Sequence, residues 1–141
     1  MTTRPTFAPQ LFYKVPLDAI EWLQAAFGFE PGMVFEGPGE SVYCEMTFEN
    51  GYFMLSSEWR DPEQLGTATM LSPRSLDGTN TQTIAVELPY GIDEHYAQAR
   101  RAGARILQEP ADQFHGARTY KCLDLEGHLW TFSQEIGAQG V

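Results

Sequence analysis

A chain of 141 residues, 43% hydrophobic and 13% aromatic, has enough apolar material for one domain with a real core and too little length for two ordinary ones. Nineteen acidic residues against nine Lys and Arg give a formal charge of -10, which disfavours nucleic acid and anionic membrane as partners because clustered cations are what displace counterions from phosphates. No apolar run approaches the roughly 20 residues that span a bilayer, and the opening MTTRPTFAPQ has no secretory apolar stretch, so a cytoplasmic location is expected. Cys44 and Cys122 each sit inside an apolar strand-like segment and are expected to be reduced, buried thiols without a cross-link.

In chain order, Gln10 to Val15 is rich in aromatic and branched residues and Pro16 closes it as a strand. From Leu17 to Phe27 the period changes: Ile20, Leu23 and Phe27 form one helical stripe, and Gly28 stands where a left-handed cap is needed. Strand-like segments follow around Met33 to Phe35, Val42 to Phe48 and Tyr52 to Ser57, with Asn50-Gly51 as the clearest hairpin signal. Residues 59 to 80 show no sustained period and read as a long connection, a lid or linker. Beyond it the pattern repeats. Thr81 to Leu88 is a strand closed by Pro89, Ile92 to Ala102 is a helix with Ile92, Tyr96 and Ala99 on one stripe, and Gly103 ends it. Strands at Arg105 to Gln108, Arg118 to Leu123 and Leu129 to Ser133 complete the chain. Val15-Pro16 superimposes on Leu88-Pro89, and Gly28 on Gly103. The chain therefore reads as two βαβββ modules, about residues 8–58 and 81–135, in one domain. A helix covers one face of each module's sheet, so the bare faces must meet or enclose something.

The stretch LFYKVPLDAIEWLQAAFGFE, taken with HYAQARRAGARILQEPADQFHGARTYKCLDLEGHLWTFSQ, resembles the vicinal oxygen chelate superfamily, which holds glyoxalase I, extradiol dioxygenases and the bleomycin and fosfomycin resistance proteins. The resemblance covers residues 10 to 134, and its most specific piece is Asp124-Leu125-Glu126-Gly127-His128-Leu129-Trp130, where most relatives have Pro in place of Leu125. It implies an α+β fold of two βαβββ modules with a cupped eight-stranded mixed sheet, commonly in a homodimer. In metal-dependent members four His or Glu ligands come from the first and fourth strands of each module. Carried over residue by residue, those positions are Gln10, Met54, Thr83 and Thr131, which supply neither imidazole nor carboxylate; no metal and no other cofactor is expected.

Three histidines remain. His95 is expected on the solvent side of its helix and His128 at the sheet rim. His115, in Gln113-Phe114-His115-Gly116-Ala117-Arg118, is the better acid or base candidate, with Glu45 as an alternative base; a loop histidine of no chemical role is the plain alternative.

Alternation from the implied ligand positions puts Gln10, Phe12, Met54, Ser56, Thr83, Ala85, Leu129, Thr131 and Ser133 on the inner face, with Lys14 near the rim and Glu87 as a further candidate. Leu11, Tyr13, Phe53, Leu55, Ile84, Val86, Trp130 and Phe132 fall to the core. Alternation leaves open which face Tyr43 and Glu45 occupy. Trp59 and Phe114 either stack on a planar ligand or simply pack, and Arg118 either pairs with a protein carboxylate or clamps an anionic ligand. The inner set mixes apolar surface with neutral hydrogen-bonding groups, the lining of a small-molecule pocket. Three functions fit: metal-independent binding of a drug or metabolite, as in bleomycin resistance; a metal-free isomerase, lyase or hydrolase; and a glyoxalase I-like lyase or dioxygenase with displaced metal ligands.

Overall fold

The computed structural model describes residues 4–60 and 69–137. Module one runs β1 (Gln10–Tyr13), α1 (Pro16–Phe27), β2 (Glu30–Glu36), β3 (Val42–Phe48) and β4 (Gly51–Ser57). A short ribbon of β5 (Trp59–Arg60) and β6 (Thr69–Met70) and a 3₁₀ turn, Pro73–Leu76, lie in the connection, which the sequence reads as irregular throughout. Residues 61–68 of that connection, which the sequence reads as a lid or linker, lie outside the described residues. Module two repeats the order: β7 (Thr83–Glu87), α2 (Ile92–Arg101), β8 (Arg105–Asp112), β9 (Ala117–Leu123) and β10 (Leu129–Glu135).

Each module is a four-stranded mixed sheet with its helix on one face. The strand orders are β1-β4-β3-β2 and β7-β10-β9-β8, so the internal repeat holds at the level of pairing. Gln10 lies opposite Met54 in the parallel β1–β4 pair, and Thr83 opposite Leu129 in β7–β10. Among the described residues β1 and β7 do not pair with each other, and the eight module strands fall in two sheets. The β3–β4 turn is one residue earlier than the Asn50-Gly51 signal suggests: Phe48 faces Gly51, and Glu49 takes the positive φ of 51°.

Pro16 closes β1 and also opens α1, where its missing N–H costs nothing. Gly28, at φ 78°, ends α1 and donates its N–H to the Gln24 carbonyl. The stripe Ala19, Ile20, Leu23, Ala26 and Phe27 is buried against the helix-side residues Leu11, Tyr13, Phe53, Leu55, Trp130 and Phe132. Ile84 and Val86 are only half-buried at the edge of this core. Both cysteines are free and buried. Burial pushes the Cys122 thiol up to about 12, which makes it inert.

The modules are joined by polar groups buried in that core. Asp124 accepts from the Tyr13 hydroxyl at 2.6 Å, from the Trp130 indole at 3.0 Å, and from the backbone N–H groups of Glu126 and His128. Glu126, only 2% exposed, accepts from the backbone N–H groups of Lys14 at 2.6 Å and Val15 at 2.8 Å. Val15 is the N-cap of α1 and has no side-chain capping bond, so a carboxylate from the other module satisfies orphan donors at a positive helix end. The signature around Asp124 is thus an inter-module latch. His128 adds a third link through Nε2 to the Phe12 carbonyl at 2.8 Å.

His95 corrects the expectation of a solvent-facing residue. It sits at the i+3 position of the Ile92, His95, Ala99 stripe, and its ring lies 4.4 Å from that of Phe132. Its Nε2 bonds the Phe27 carbonyl at 2.9 Å, which can only accept; Nδ1 therefore accepts from the Tyr120 hydroxyl at 2.5 Å. Desolvation holds the imidazole below its usual pKa.

Two outcomes follow from this junction. Glu126→Gln removes the charge and turns an amide toward two N–H donors, so urea unfolding should show a loss of about 1.5–3 kcal/mol with an unchanged m-value. Because the unfolded state takes up the His95 proton at a higher pH than the folded state does, this group's contribution is complete above about pH 6.5 and is lost as the pH falls toward the folded value. The stability of the wild type minus that of His95→Phe, measured by denaturant titration at each pH, should therefore decline on acidification.

Candidate functional site

The register of the sheets decides the face of each candidate. In sheet one, Tyr43 lies opposite Ser56 and Glu45 opposite Met54, while Met54 and Ser56 pair with Gln10 and Phe12. Residues directly opposite share a face, so all six occupy the side away from α1. The alternate residues Val42, Cys44 and Met46 are buried on the helix side. Phe35 of β2 extends the same row, with its ring 6.4 Å from that of Tyr43. An open groove of about 360 Å³ runs along one end of this face, lined by Gln10, Phe12, Ser56, Glu58 and Trp59 among others. Trp59, 36% exposed, forms its wall.

In sheet two, Thr83, Ala85 and Glu87 share the corresponding face with Leu129, Thr131 and Ser133, and then with Leu123, Lys121 and Thr119. The implied metal positions can now be compared module by module. Gln10 Nε2 donates to Ser56 Oγ at 3.0 Å, and Thr83 Oγ1 bonds Thr131 Oγ1 at 2.9 Å. Each is a diagonal pair one step up from the Gln10–Met54 and Thr83–Leu129 register, which makes Ser56, rather than Met54, the counterpart of Thr131. The sequence offers no marker for that shift, since Met54 and Ser56 share one face. The four positions carry one amide and three hydroxyls bonded in pairs, a donor set that does not fit a divalent ion. Among the described residues no group of three or more His, Cys, Asp or Glu is placed to hold one.

The remaining candidates separate. Arg118 lies opposite Gln134, on the helix face of β9, and is committed to Asp93 at 3.0 Å and Asp112 at 2.8 Å; the carboxylate-pairing alternative is what the structure has, and the residue faces away from the cup. Phe114 is 99% exposed at the tip of the β8–β9 hairpin, with its ring against His115 and no wall of the cup beside it. His115 borders a separate open groove of about 460 Å³ with Glu87, Ser133 and Glu135 on sheet two. Glu45 is bound by Arg4 at 3.0 Å and by the Tyr43 hydroxyl at 3.3 Å, so its carboxylate is held as an ion-pair partner. Burial, followed by the Glu45 charge, raises the pKa of Tyr43. Thus Gln10, Phe12, Tyr43, Glu45, Met54, Ser56 and Trp59 come together on or beside one face, Thr83 and Thr131 on another, and His115 borders the Glu87–Ser133 end of that second face. Sequence reasoning missed Tyr52 and Arg4, which meet on the first face, and Lys121 and Thr119 on the second. Extending alternation through the β3–β4 hairpin would have found Tyr52.

The architecture is shared with TioX from Micromonospora sp. ML1, which is 27% identical, with a TM-score of 0.71 over 93% of this chain and 98% of that one. It is shared also with a glyoxalase/bleomycin resistance protein/dioxygenase from Nocardioides, 19% identical with a TM-score of 0.58 over 100% of this chain and 89% of that one. The fold is the vicinal oxygen chelate fold. The fosfomycin resistance protein FosX of Listeria monocytogenes, solved with Mn(II) and sulfate, has the same vicinal oxygen chelate fold at 12% identity and a TM-score of 0.64, covering 94% of this chain and 93% of that one. An uncharacterised protein of Mycobacterium bovis is 26% identical over 137 residues, 96% of this chain and 87% of its own length. No family model matches the chain.

A chain of this fold whose residues at the four implied ligand positions are amide and hydroxyl should be indifferent to chelation. Its thermal midpoint, followed by differential scanning fluorimetry, is expected to be the same with EDTA and with added Mn(II) or Zn(II). A metal site would raise it by RT ln(1 + [L]/Kd).

Proposed function

We propose that this chain is a metal-independent binding protein for a small organic molecule, which it holds on the inner face of its first module. The observation that carries this reading is the composition of that face. Phe12 and Trp59 supply apolar area beside the groove, and Gln10, Ser56 and Tyr43 supply neutral hydrogen-bonding atoms that fix orientation, the division of labour typical of ligand pockets. Among the described residues no charged acid and base face each other within that groove, which favours binding over catalysis there. A second reading, a metal-free enzyme, draws on one feature: the imidazole of His115 shares the sheet-two groove with the carboxylates of Glu87 and Glu135.

We read the protein as a homodimer in the cytoplasm. Support for the dimer comes from the edge strand β2, where Met33 is 72% and Phe35 55% exposed, an apolar strip that a second copy would cover. No helix among the described residues is long and apolar enough to cross a membrane. Sequestration of a toxic drug, by analogy with the bleomycin-resistance neighbours, is the role we assign; it rests on the shared fold and the open groove.

The test is titration with the neutral fluorescent arene N-phenyl-naphthylamine. The wild type is expected to bind it, and Phe12→Ala or Trp59→Ala to weaken binding about tenfold or more while the far-ultraviolet circular dichroism stays unchanged. Binding unaffected by both substitutions, or lost only in His115→Ala, would move the site to sheet two and the reading with it.

A further inference from the structure

Resting on the reading that the first inner face receives a small molecule, we propose that the far end of this face is a subsite for a guanidinium or ammonium group, and that Arg4 occupies it in the ligand-free chain. Three groups build it. Tyr52 stands on β4 two residues before Met54 and therefore on the inner face, and the Arg4 guanidinium carbon lies 3.9 Å over its ring centroid. The Arg4 Nη2 donates to Glu45 Oε1 at 3.0 Å. The other oxygen of that carboxylate accepts from the Tyr43 hydroxyl at 3.3 Å, which holds it in place over the sheet.

A π face with a carboxylate beside it is complementary to a cation in both geometry and charge. Here the cation is lent by the chain's own lead, the segment ahead of β1. The lead is anchored through the bond from the Met54 N–H to the Pro9 carbonyl, five residues further on. Both partners of the ion pair remain open to water, with side-chain exposures of 60% for Arg4 and 37% for Glu45, so the pair is weak and exchangeable. The residues beneath it are fixed in strands, whereas Arg4 precedes them; a competing cation meets a preorganised subsite and displaces only a loosely tethered side chain.

Position gives the subsite its use. Tyr52 and Ser56 are four residues apart on one strand, about 13 Å along the same face. A ligand with an aromatic or apolar body against Phe12 and Trp59 and a cationic arm reaching Tyr52 and Glu45 would satisfy both ends. The class assigned is therefore an amphiphilic organic cation, with Arg4 as a built-in competitor.

Agmatine, a small guanidinium compound, is the probe, with n-butylurea as its neutral counterpart and binding read by isothermal titration and by Tyr52 ring shifts in NMR. Removing the competitor in Arg4→Ala should tighten agmatine binding about tenfold relative to wild type, and Arg4→Gln should do the same. Adding Glu45→Gln to Arg4→Ala should abolish the gain, and n-butylurea should not bind either variant. Equal agmatine affinity in wild type and both Arg4 variants overturns the proposal, as does a gain that survives Glu45→Gln. The N-phenyl-naphthylamine titration separates the two claims: if the arene binds through Phe12 and Trp59 while agmatine shows no gain, the cation subsite alone is wrong, and if neither binds, the first-face reading falls with it.

Discussion

Two carboxylates with almost no exposure hold the two modules together, and the placement of the inner faces depends on them. A buried carboxylate is costly unless its lone pairs are met, and here they are met by donors from both halves. Glu126 serves the entry of α1, where it meets the two backbone N–H groups just ahead of Pro16 from the other module. Asp124 gathers the Tyr13 hydroxyl at the end of β1, the Trp130 indole at the start of β10, and its own turn. Burial raises the pKa of Asp124, and the donors around it together with His128 oppose that rise. Because breaking one partner of such a network leaves a buried polar group unmet, the network selects one relative arrangement of the modules more sharply than apolar packing alone would.

That arrangement closes the helix side and leaves the other side open. Phe27, Phe29, Phe53, Trp130 and Phe132 form a continuous aromatic contact between the halves, with ring centroids 4.9 to 5.6 Å apart in the tightest pairs. His95 belongs to this cluster and bonds across it to the Phe27 carbonyl, and the Trp22 indole reaches in the opposite sense to the Ala102 carbonyl. With the core saturated from one side, the strands can carry Gln10, Tyr43, Ser56, Thr83 and Thr131 on the other without cost to stability. The inner faces are thereby free to differ between members of one fold, which is why kinship at this level fixes architecture and leaves chemistry to the site.

Strands, helices and the duplication were legible because each rests on a local signal. Pro16 and Pro89 end strands, Gly28 and Gly103 end helices, and apolar residues recur with period two or 3.6 between them. The faces of β1, β4, β7 and β10 were equally legible, since alternation needs only one anchored residue. What stayed hidden depends on pairing. Whether Tyr43 and Glu45 face inward is settled by their partners Ser56 and Met54. His95 was misplaced because an imidazole on a helix stripe is read as polar, although two hydrogen bonds and an aromatic neighbour make it a core residue. Arg118 was ambiguous for the converse reason: its partners Asp93 and Asp112 come from α2 and β8, and only their convergence turns it from the cup.

The charge of the chain takes on a local meaning once these faces are drawn. An excess of ten negative charges says little about a site, because most carboxylates are solvated. On the first inner face, however, Glu45 is paired with a cation that lies over the Tyr52 ring, while the second face carries Lys121 opposite Thr131. The two modules share a topology yet differ at the middle of their inner faces, with an ion-paired carboxylate on one and a lysine on the other. A duplicated fold that began with equivalent sites would bind equivalent ligands twice. These two faces are unlike in their residues, so the duplication of topology carries no duplication of site.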